Sequence, residues 1–161
     1  MTLKAGDRIP AATLTLMTAE GPKPVEARDY FAGRKVALFS VPGAYTPTCS
    51  KQHLPGFVKE ADALKAKGVD AVAVTAVNDA FVLDAWLESA GAKGKVEGLA
   101  DGSAAFAKAG GFELDLAAFG LGVRGKRFAA VVDDGVVKWI EFEENSSACT
   151  VSSASSTLAH V

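Results

Sequence analysis

The stretch Lys35-Val36-Ala37-Leu38-Phe39-Ser40-Val41, followed by Pro42-Gly43, decides the fold. Its apolar run predicts a buried strand, and the proline, which has no N–H to donate to a neighbouring strand, ends it. Residues 49–67 place apolar side chains at the spacing of an amphipathic helix that stops at Gly68. Residues 69–77 are apolar and rich in β-branched side chains, as in a strand covered on both faces. The order strand, helix, strand predicts an α/β domain.

The rest of the chain extends this pattern in both directions. Asn78-Asp79 is expected to cap a helix, and Pro55 is expected to kink the first one. The further predicted elements are an N-terminal β extension at 13–16 and 24–26, a helix at 80–89, a short strand at 96–100, a short helix at 103–109, an irregular glycine-punctuated segment at 112–124, a hairpin of 126–132 and 136–142, and a serine-capped helix at 152–160. Helices on both faces of a mixed central sheet predict a three-layer α/β domain.

Length and composition favour one folded domain over residues 1–161. The chain is 49% hydrophobic and 22% charged, which is typical of soluble domains. Its net charge of −2 disfavours nucleic acid and anionic membranes as partners, and no stretch approaches the ~18 apolar residues of a membrane span. Two cysteines and two histidines are too few for a disulfide framework or a structural metal site. We therefore expect no metal and no cofactor.

The start of the chain lacks the apolar region of a secretory signal. A cytoplasmic location is therefore expected. A plastid or a mitochondrion is the alternative, since an organelle transit peptide is removed from the mature chain.

Several side chains and motifs are interpreted as structural. Residues 120–125 match G-x-G-x-x-G, but a strand follows them where a dinucleotide site needs a helix. Trp86 and Trp139 lie in apolar patterns typical of a core. His53 and His160 have no carboxylate or histidine at ligand spacing, which favours a purely structural role for both.

The segment 41–50 carries the chemistry. Cys49 lies in the first turn of a predicted helix, where unpaired backbone N–H groups and the helix dipole favour a nucleophilic thiolate. Thr46, three residues earlier, can place its hydroxyl beside the sulfur, although a plain N-cap role is compatible. Pro42 can shield the thiolate from solvent or simply end the strand. The alternative for Cys49 is a small buried apolar residue.

The motif Pro42-Gly43-Ala44-Tyr45-Thr46-Pro47-Thr48-Cys49 resembles the P-x-x-x-T-x-x-C signature of the peroxiredoxins, and its wording resembles the subfamily of plant type II peroxiredoxins and animal peroxiredoxin five. Further similar motifs are His53-Leu54-Pro55-Gly56-Phe57, Val77-Asn78-Asp79-Ala80-Phe81-Val82, Ala100-Asp101-Gly102, Gly120-Leu121-Gly122-Val123-Arg124 and Val151-Ser152-Ser153-Ala154. The resemblance implies a thioredoxin-like fold and a homodimer whose contact lies near residues 42–47. It also implies reduction of hydroperoxides with Cys49 as the peroxidatic residue.

The same resemblance assigns a role to Arg127, because the family's active-site arginine lies in an R-F motif on a late strand, here Arg127-Phe128. A guanidinium beside the sulfur stabilises the thiolate, and its donors can hold both peroxide oxygens for attack. Attack by Cys49 on the terminal oxygen then leaves a sulfenic acid and releases water or an alcohol.

The second cysteine is less similar to the family. Plant type II members carry a resolving thiol where this chain has Val74, and the animal members carry one near the C-terminus, where Cys149 lies two residues early. Cys149 is therefore a candidate resolving thiol. The favoured alternative is direct reduction of Cys49 by glutaredoxin and glutathione, with thioredoxin as another candidate reductant.

Two other functions compete with the peroxidase. A thiol–disulfide oxidoreductase on the same fold is disfavoured, because Thr46-Pro47-Thr48-Cys49 lacks the first cysteine of C-x-x-C. A non-catalytic, redox-sensing binding domain would not need peroxide turnover at Cys49.

Overall fold

A computed structural model describes residues 2–161. Its strands are β1 (Thr13–Thr18), β2 (Gly21–Glu26), β3 (Lys35–Ser40), β4 (Ala71–Ala76), β5 (Glu97–Ala100), β6 (Glu113–Leu116), β7 (Gly122–Gly125), β8 (Phe128–Asp133) and β9 (Val136–Phe142). Its α-helices are α1 (Ala27–Phe31), α2 (Leu54–Ala66), α3 (Ala80–Ser89), α4 (Ala105–Ala109) and α5 (Ala154–Leu158). Among the described residues, no helix is long and apolar enough to cross a membrane.

Seven strands form one mixed sheet in the order β2-β1-β5-β4-β3-β8-β9. The central pairs β3–β4 and β4–β5 are parallel, and β8, β9 and the β1–β2 hairpin add antiparallel strands on either side. Strands β3, β4 and β8 are almost completely buried, which explains their unbroken apolar runs. The predicted mixed sheet with an N-terminal β extension is confirmed.

Apolar side chains alternate between the two faces of the sheet and form two cores. Phe39 and Val74 face the core that also contains the buried side of α2, α3 and Ala154 of α5. Leu38 and Ala73 face the other core, which contains α1, α4 and the N-terminal segment. The three-layer α/β prediction is therefore correct.

Two local predictions need correction. Residues 113–125 are not irregular: β6 and β7 pair as a second, two-stranded sheet around a 3₁₀ turn at Ala117–Phe119. The break in the first long helix also lies earlier than a kink at Pro55, since Cys49–His53 forms a π-helical turn in which Leu54 N–H donates to Cys49 O, five residues back. Pro55 has no N–H for the α-helical bond to Lys51, so regular α-helix resumes only from this point.

Candidate active site

The turn between β3 and the π-helical turn places Cys49 at the end of the central strands. Val41 N–H still donates to Thr75 O of β4, and Ala44 N–H then donates to Asn78 Oδ1 at 2.9 Å. Tyr45 adopts φ = +66°, a left-handed conformation that is unusual outside glycine. These contacts turn the chain back over the sheet so that the next helical turn begins at the sulfur.

Arg124 holds this turn from the other side. Its Nη1 donates to Pro42 O at 3.4 Å and to Val77 O at 3.2 Å, and its Nε donates to Leu121 O at 2.8 Å. A Cβ at Gly43 would lie 2.9 Å from Arg124 Nη1, so glycine allows the guanidinium to approach. Arg124 belongs to the 120–125 run that matches G-x-G-x-x-G, and its contacts with these carbonyls support the turn before Cys49.

Two donors converge on the fully buried sulfur of Cys49. Thr46 Oγ1 lies 2.9 Å from Cys49 Sγ and 2.7 Å from Gly43 O, and Arg127 Nη2 donates to Sγ at 2.8 Å. The threonine hydroxyl has one proton, so it donates to a thiolate or accepts from a thiol while it donates to Gly43. The site can therefore accommodate Cys49 as a thiol or as a thiolate. Thr46 and Arg127 can both donate to the sulfur when it is a thiolate.

Arg127 is the residue immediately before β8, and it is almost fully buried. Its three nitrogens each have a separate partner: Nη2 has Cys49, Nε donates to Ser146 O at 2.9 Å, and Nη1 meets His53 Nδ1 at 2.7 Å. An arginine can only donate, so Nδ1 of His53 must accept. The hydrogen of His53 is therefore on Nε2, which donates to Ser152 O at 2.7 Å.

His53 is uncharged in this arrangement. Burial, together with the neighbouring Arg127 charge, lowers the pKa of His53 from 6.5 to about 3. The sequence favours a structural role for His53, and the structure adds that its ring contacts the guanidinium that contacts the sulfur. The available signal was its position four residues after Cys49, which puts both side chains on one face of a helical turn.

The two tryptophans make contacts with residues that lie far away in the sequence. Trp86, predicted to be core, is indeed buried, but its Nε1 also donates to Ser50 Oγ at 3.0 Å, next to Cys49. Trp139, also predicted to be core, is only partly buried: it packs against the edge of the core and stacks on the exposed ring of His160. Nothing in the sequence pattern indicates either pairing.

Cys49 and Cys149 are both free thiols. Burial raises the pKa of Cys149, which is half-buried; the Arg127 charge opposes this effect, and Glu143 and Cys49 add to it. Val74, at the position of the plant resolving cysteine, is fully buried in β4. The structure thus brings Thr46 and Arg127 to Cys49 directly and leaves Cys149 in the loop that follows β9.

A pocket of about 370 Å³ opens beside the site. Its lining includes Pro42, Thr46 and Arg127, and apolar side chains of the β6–β7 segment form an apolar wall. The wall consists of Leu116, Phe119 and Leu121. No group of three or more metal-ligating side chains occurs within residues 2–161. The fold and site together define a thioredoxin-like protein with a thiol-based active site.

Comparisons with known proteins narrow this class. The Redoxin family profile matches residues 4–158. The chain is 50% identical to the chloroplastic peroxiredoxin-2E-2 of Oryza sativa subsp. japonica over 98% of its length and 72% of that protein. It is 45% identical to the chloroplastic peroxiredoxin-2E of Arabidopsis thaliana, over 97% of this chain and 68% of that one.

Among solved structures, reduced Prx3 of Vibrio vulnificus in complex with hydrogen peroxide is 47% identical, with a TM-score of 0.94 over 98% of both chains. The chain therefore belongs to the Redoxin family and, within it, to the peroxiredoxins similar to plant peroxiredoxin-2. It is accordingly a thiol-dependent peroxidase.

Proposed function

We propose that Cys49 is the peroxidatic cysteine, with Thr46 and Arg127 as its catalytic partners and Pro42 as the wall that limits solvent access. The observation that carries this proposal is the pair of donors at 2.9 Å and 2.8 Å from Cys49 Sγ. Charge-assisted hydrogen bonds of this kind favour the thiolate, which is the nucleophile, over the thiol.

The reaction then follows from the geometry. The thiolate of Cys49 donates an electron pair to the terminal oxygen of a hydroperoxide, an S–O bond forms and the O–O bond breaks. The leaving oxygen departs as hydroxide or alkoxide and takes up a proton, while Cys49 becomes a sulfenic acid. Arg127 and the Thr46 hydroxyl face the region where negative charge moves from sulfur to oxygen, so they stabilise the transition state as well as the thiolate.

Hydrogen peroxide and alkyl hydroperoxides are the proposed substrates. The Vibrio relative is described in complex with hydrogen peroxide. The pocket beside Cys49 has room for more than two oxygen atoms, and Leu116, Phe119 and Leu121 offer an apolar surface to an alkyl group.

The proposed reductant is external: glutaredoxin with glutathione, or thioredoxin. One thiol of the reductant displaces water from the sulfenic acid to give a mixed disulfide, and a second thiol releases Cys49. Two features of this chain disfavour an internal resolving step through Cys149. Val74 replaces one family position for the second thiol, and the raised pKa of Cys149 keeps it a thiol rather than the attacking thiolate at neutral pH.

Replacing each cysteine in turn tests this mechanism. Cys49→Ser should abolish peroxide turnover and keep the fold, whereas Cys149→Ser should keep the turnover with glutaredoxin. Peroxide consumption is measured with glutaredoxin and then with thioredoxin as reductant, and the peroxide-treated protein is mapped by mass spectrometry.

Turnover that survives Cys49→Ser would refute the peroxidatic assignment. A wild-type protein that consumes no peroxide with either reductant would favour a redox-sensing binding domain. Disulfide exchange on a model substrate without peroxide turnover would favour an oxidoreductase. An intrachain bridge between Cys49 and Cys149 as the main product would assign Cys149 as the resolving thiol.

The chain is also proposed to form a homodimer beside the active site. Tyr45, Phe81 and Phe119 are 54%, 66% and 77% exposed, and contact with a second copy of the chain would remove such large apolar side chains from water. The bond from Ala44 to Asn78 links the turn of Tyr45 to the start of α3, which carries Phe81. Light scattering of Phe81→Glu against the wild type tests this, with Val151→Glu as the control; a wild-type monomer at micromolar concentration would refute it.

The compartment is a further proposal. The chloroplastic names of the rice and Arabidopsis relatives favour a plastid over the cytoplasm that the sequence alone predicts. Localisation of the tagged full-length protein tests this, and cytoplasmic signal alone would contradict the plastid.

A further inference from the structure

Glu143 follows β9 directly and lies next to Arg127. Its backbone N–H donates to Arg127 O at 3.0 Å, so the two residues are fixed side by side at the end of the β8–β9 ladder. The chain then leaves the sheet as residues 144–152, here called the strap, which contains no α-helix or strand and leads to α5.

The carboxylate of Glu143 closes the strap onto itself. Oε2 accepts hydrogen bonds from Thr150 N at 2.7 Å, from Ser152 N at 2.8 Å and from Ser152 Oγ at 2.6 Å, and Oε1 accepts one from Thr150 Oγ1 at 2.9 Å. Burial alone would raise the pKa of Glu143, but these hydrogen bonds from Ser152 and Thr150 outweigh burial and hold it below its usual range. The charged carboxylate is therefore the form that holds the strap at neutral pH.

The strap in turn supplies carbonyl acceptors to the groups around Cys49. Ser146 O accepts from Arg127 Nε at 2.9 Å, and Ser152 O accepts from His53 Nε2 at 2.7 Å. Ser147 O accepts from Thr48 Oγ1 at 2.7 Å. Loss of these acceptors would leave buried donors of Arg127 and His53 without partners, which is costly enough to move both side chains.

We propose that Glu143 is a positioning residue for peroxide reduction: by tying the strap at Thr150 and Ser152, it holds the Ser146 and Ser152 carbonyls where they fix Arg127 and His53 against Cys49. Glu143 itself touches neither the sulfur nor the peroxide site, so its effect reaches Cys49 only through these contacts. This inference rests on the proposed roles of Cys49 and Arg127.

The test compares Glu143→Gln and Glu143→Ala with Glu144→Gln, a matched control that removes the same charge from the exposed neighbouring residue. Two quantities are measured on the reduced full chain well below the melting temperature of each variant. One is the rate of the first reaction with hydrogen peroxide, which needs no reductant. The other is the pH midpoint of Cys49 alkylation by iodoacetamide, followed by peptide mass spectrometry.

Glu143→Ala should slow the peroxide reaction by roughly tenfold or more and move the alkylation midpoint to higher pH, since Arg127 loses its fixed position. Glu143→Gln should be intermediate, because its amide oxygen can still accept from the Thr150 and Ser152 N–H groups while its NH₂ faces Thr150 Oγ1, but the negative charge that strengthens these bonds is lost. Glu144→Gln should match the wild type in both quantities.

A merely structural role gives a different result. If the Glu143 variants melt at lower temperature but keep the wild-type rate and alkylation midpoint within about twofold, the proposal is overturned. Should Glu143→Ala not fold, Ser152→Ala decides the matter. It removes the 2.6 Å hydroxyl bond to Glu143 together with the hydroxyl's contact with Cys149, and it keeps the carbonyl that holds His53. It should shift both quantities in the same direction by less.

The proposed function can fail separately. If the wild-type protein consumes peroxide without stoichiometric loss of the Cys49 thiol, the peroxidatic assignment is wrong whatever the Glu143 variants do. If Cys49 is lost as expected and the Glu143 variants behave as wild type, only the positioning role is wrong.

Discussion

Acidification tests the neutral, buried state of His53. His53 is protonated below pH 6.5 in the unfolded chain but only below about pH 3 in the folded protein. The unfolded state therefore binds more protons between these pH values. Stability from this group is therefore complete above about pH 6.5 and is lost as the pH falls towards 3. At about pH 5 the difference of ~1.5 pH units amounts to ~2 kcal/mol, at 1.36 kcal/mol per unit.

The measurement is the free energy of unfolding in urea at about pH 7.5 and about pH 5, at one protein concentration, followed by the fluorescence of the two tryptophans. The wild type should lose ~2 kcal/mol more between these pH values than His53→Gln, whose side chain does not titrate. His160→Gln is the matched control at an exposed histidine and should behave as the wild type. A difference below about 0.5 kcal/mol between wild type and His53→Gln would refute a neutral His53 under Arg127.

Three further predictions concern the site and its supports. Arg127→Met should slow the reaction of reduced Cys49 with hydrogen peroxide by roughly tenfold or more, since it removes the guanidinium donor 2.8 Å from Sγ; an unchanged rate would contradict the role of this contact. Asp79→Ala should lower the free energy of unfolding by ~1 kcal/mol, because it removes the cap that accepts from Val82 N at 2.9 Å, and equal urea midpoints would contradict this. Phe119→Ala should reduce kcat/KM for a bulky alkyl hydroperoxide roughly tenfold relative to hydrogen peroxide, and an unchanged ratio would place the alkyl group elsewhere.

Elements with a continuous local pattern could be predicted from the sequence. The apolar runs of β3 and β4 determine strands that are buried on both faces, and Asp79 is the cap it was predicted to be. The β6–β7 hairpin could not be predicted in this way, because each strand has only four residues and its pairing depends on a partner across the 3₁₀ turn. Short strands with mixed polarity show no usable period.

The same distinction holds within the site. Thr46 and Cys49 are three residues apart, so one helical turn brings them together and the sequence predicts the contact. Arg127 lies 78 residues from Cys49, and only the family resemblance indicated it. His53 and Ser152 are 99 residues apart, and no local pattern encodes a hydrogen bond of that range. Tertiary packing alone determines how Arg127 is held.

The charge balance of the site explains why these distant contacts matter. Arg127 is a buried cation, yet no carboxylate of the described residues forms an ion pair with it. Its other two partners, Ser146 O and His53 Nδ1, are neutral, so Cys49 Sγ is the partner in direct contact that becomes an anion on losing its proton. An acidic residue in place of His53 would compete with the sulfur for the positive charge of Arg127. A protonated His53 would repel the guanidinium. A neutral acceptor orients the arginine while leaving its charge to the sulfur, as the attack on a peroxide that we propose for Cys49 requires.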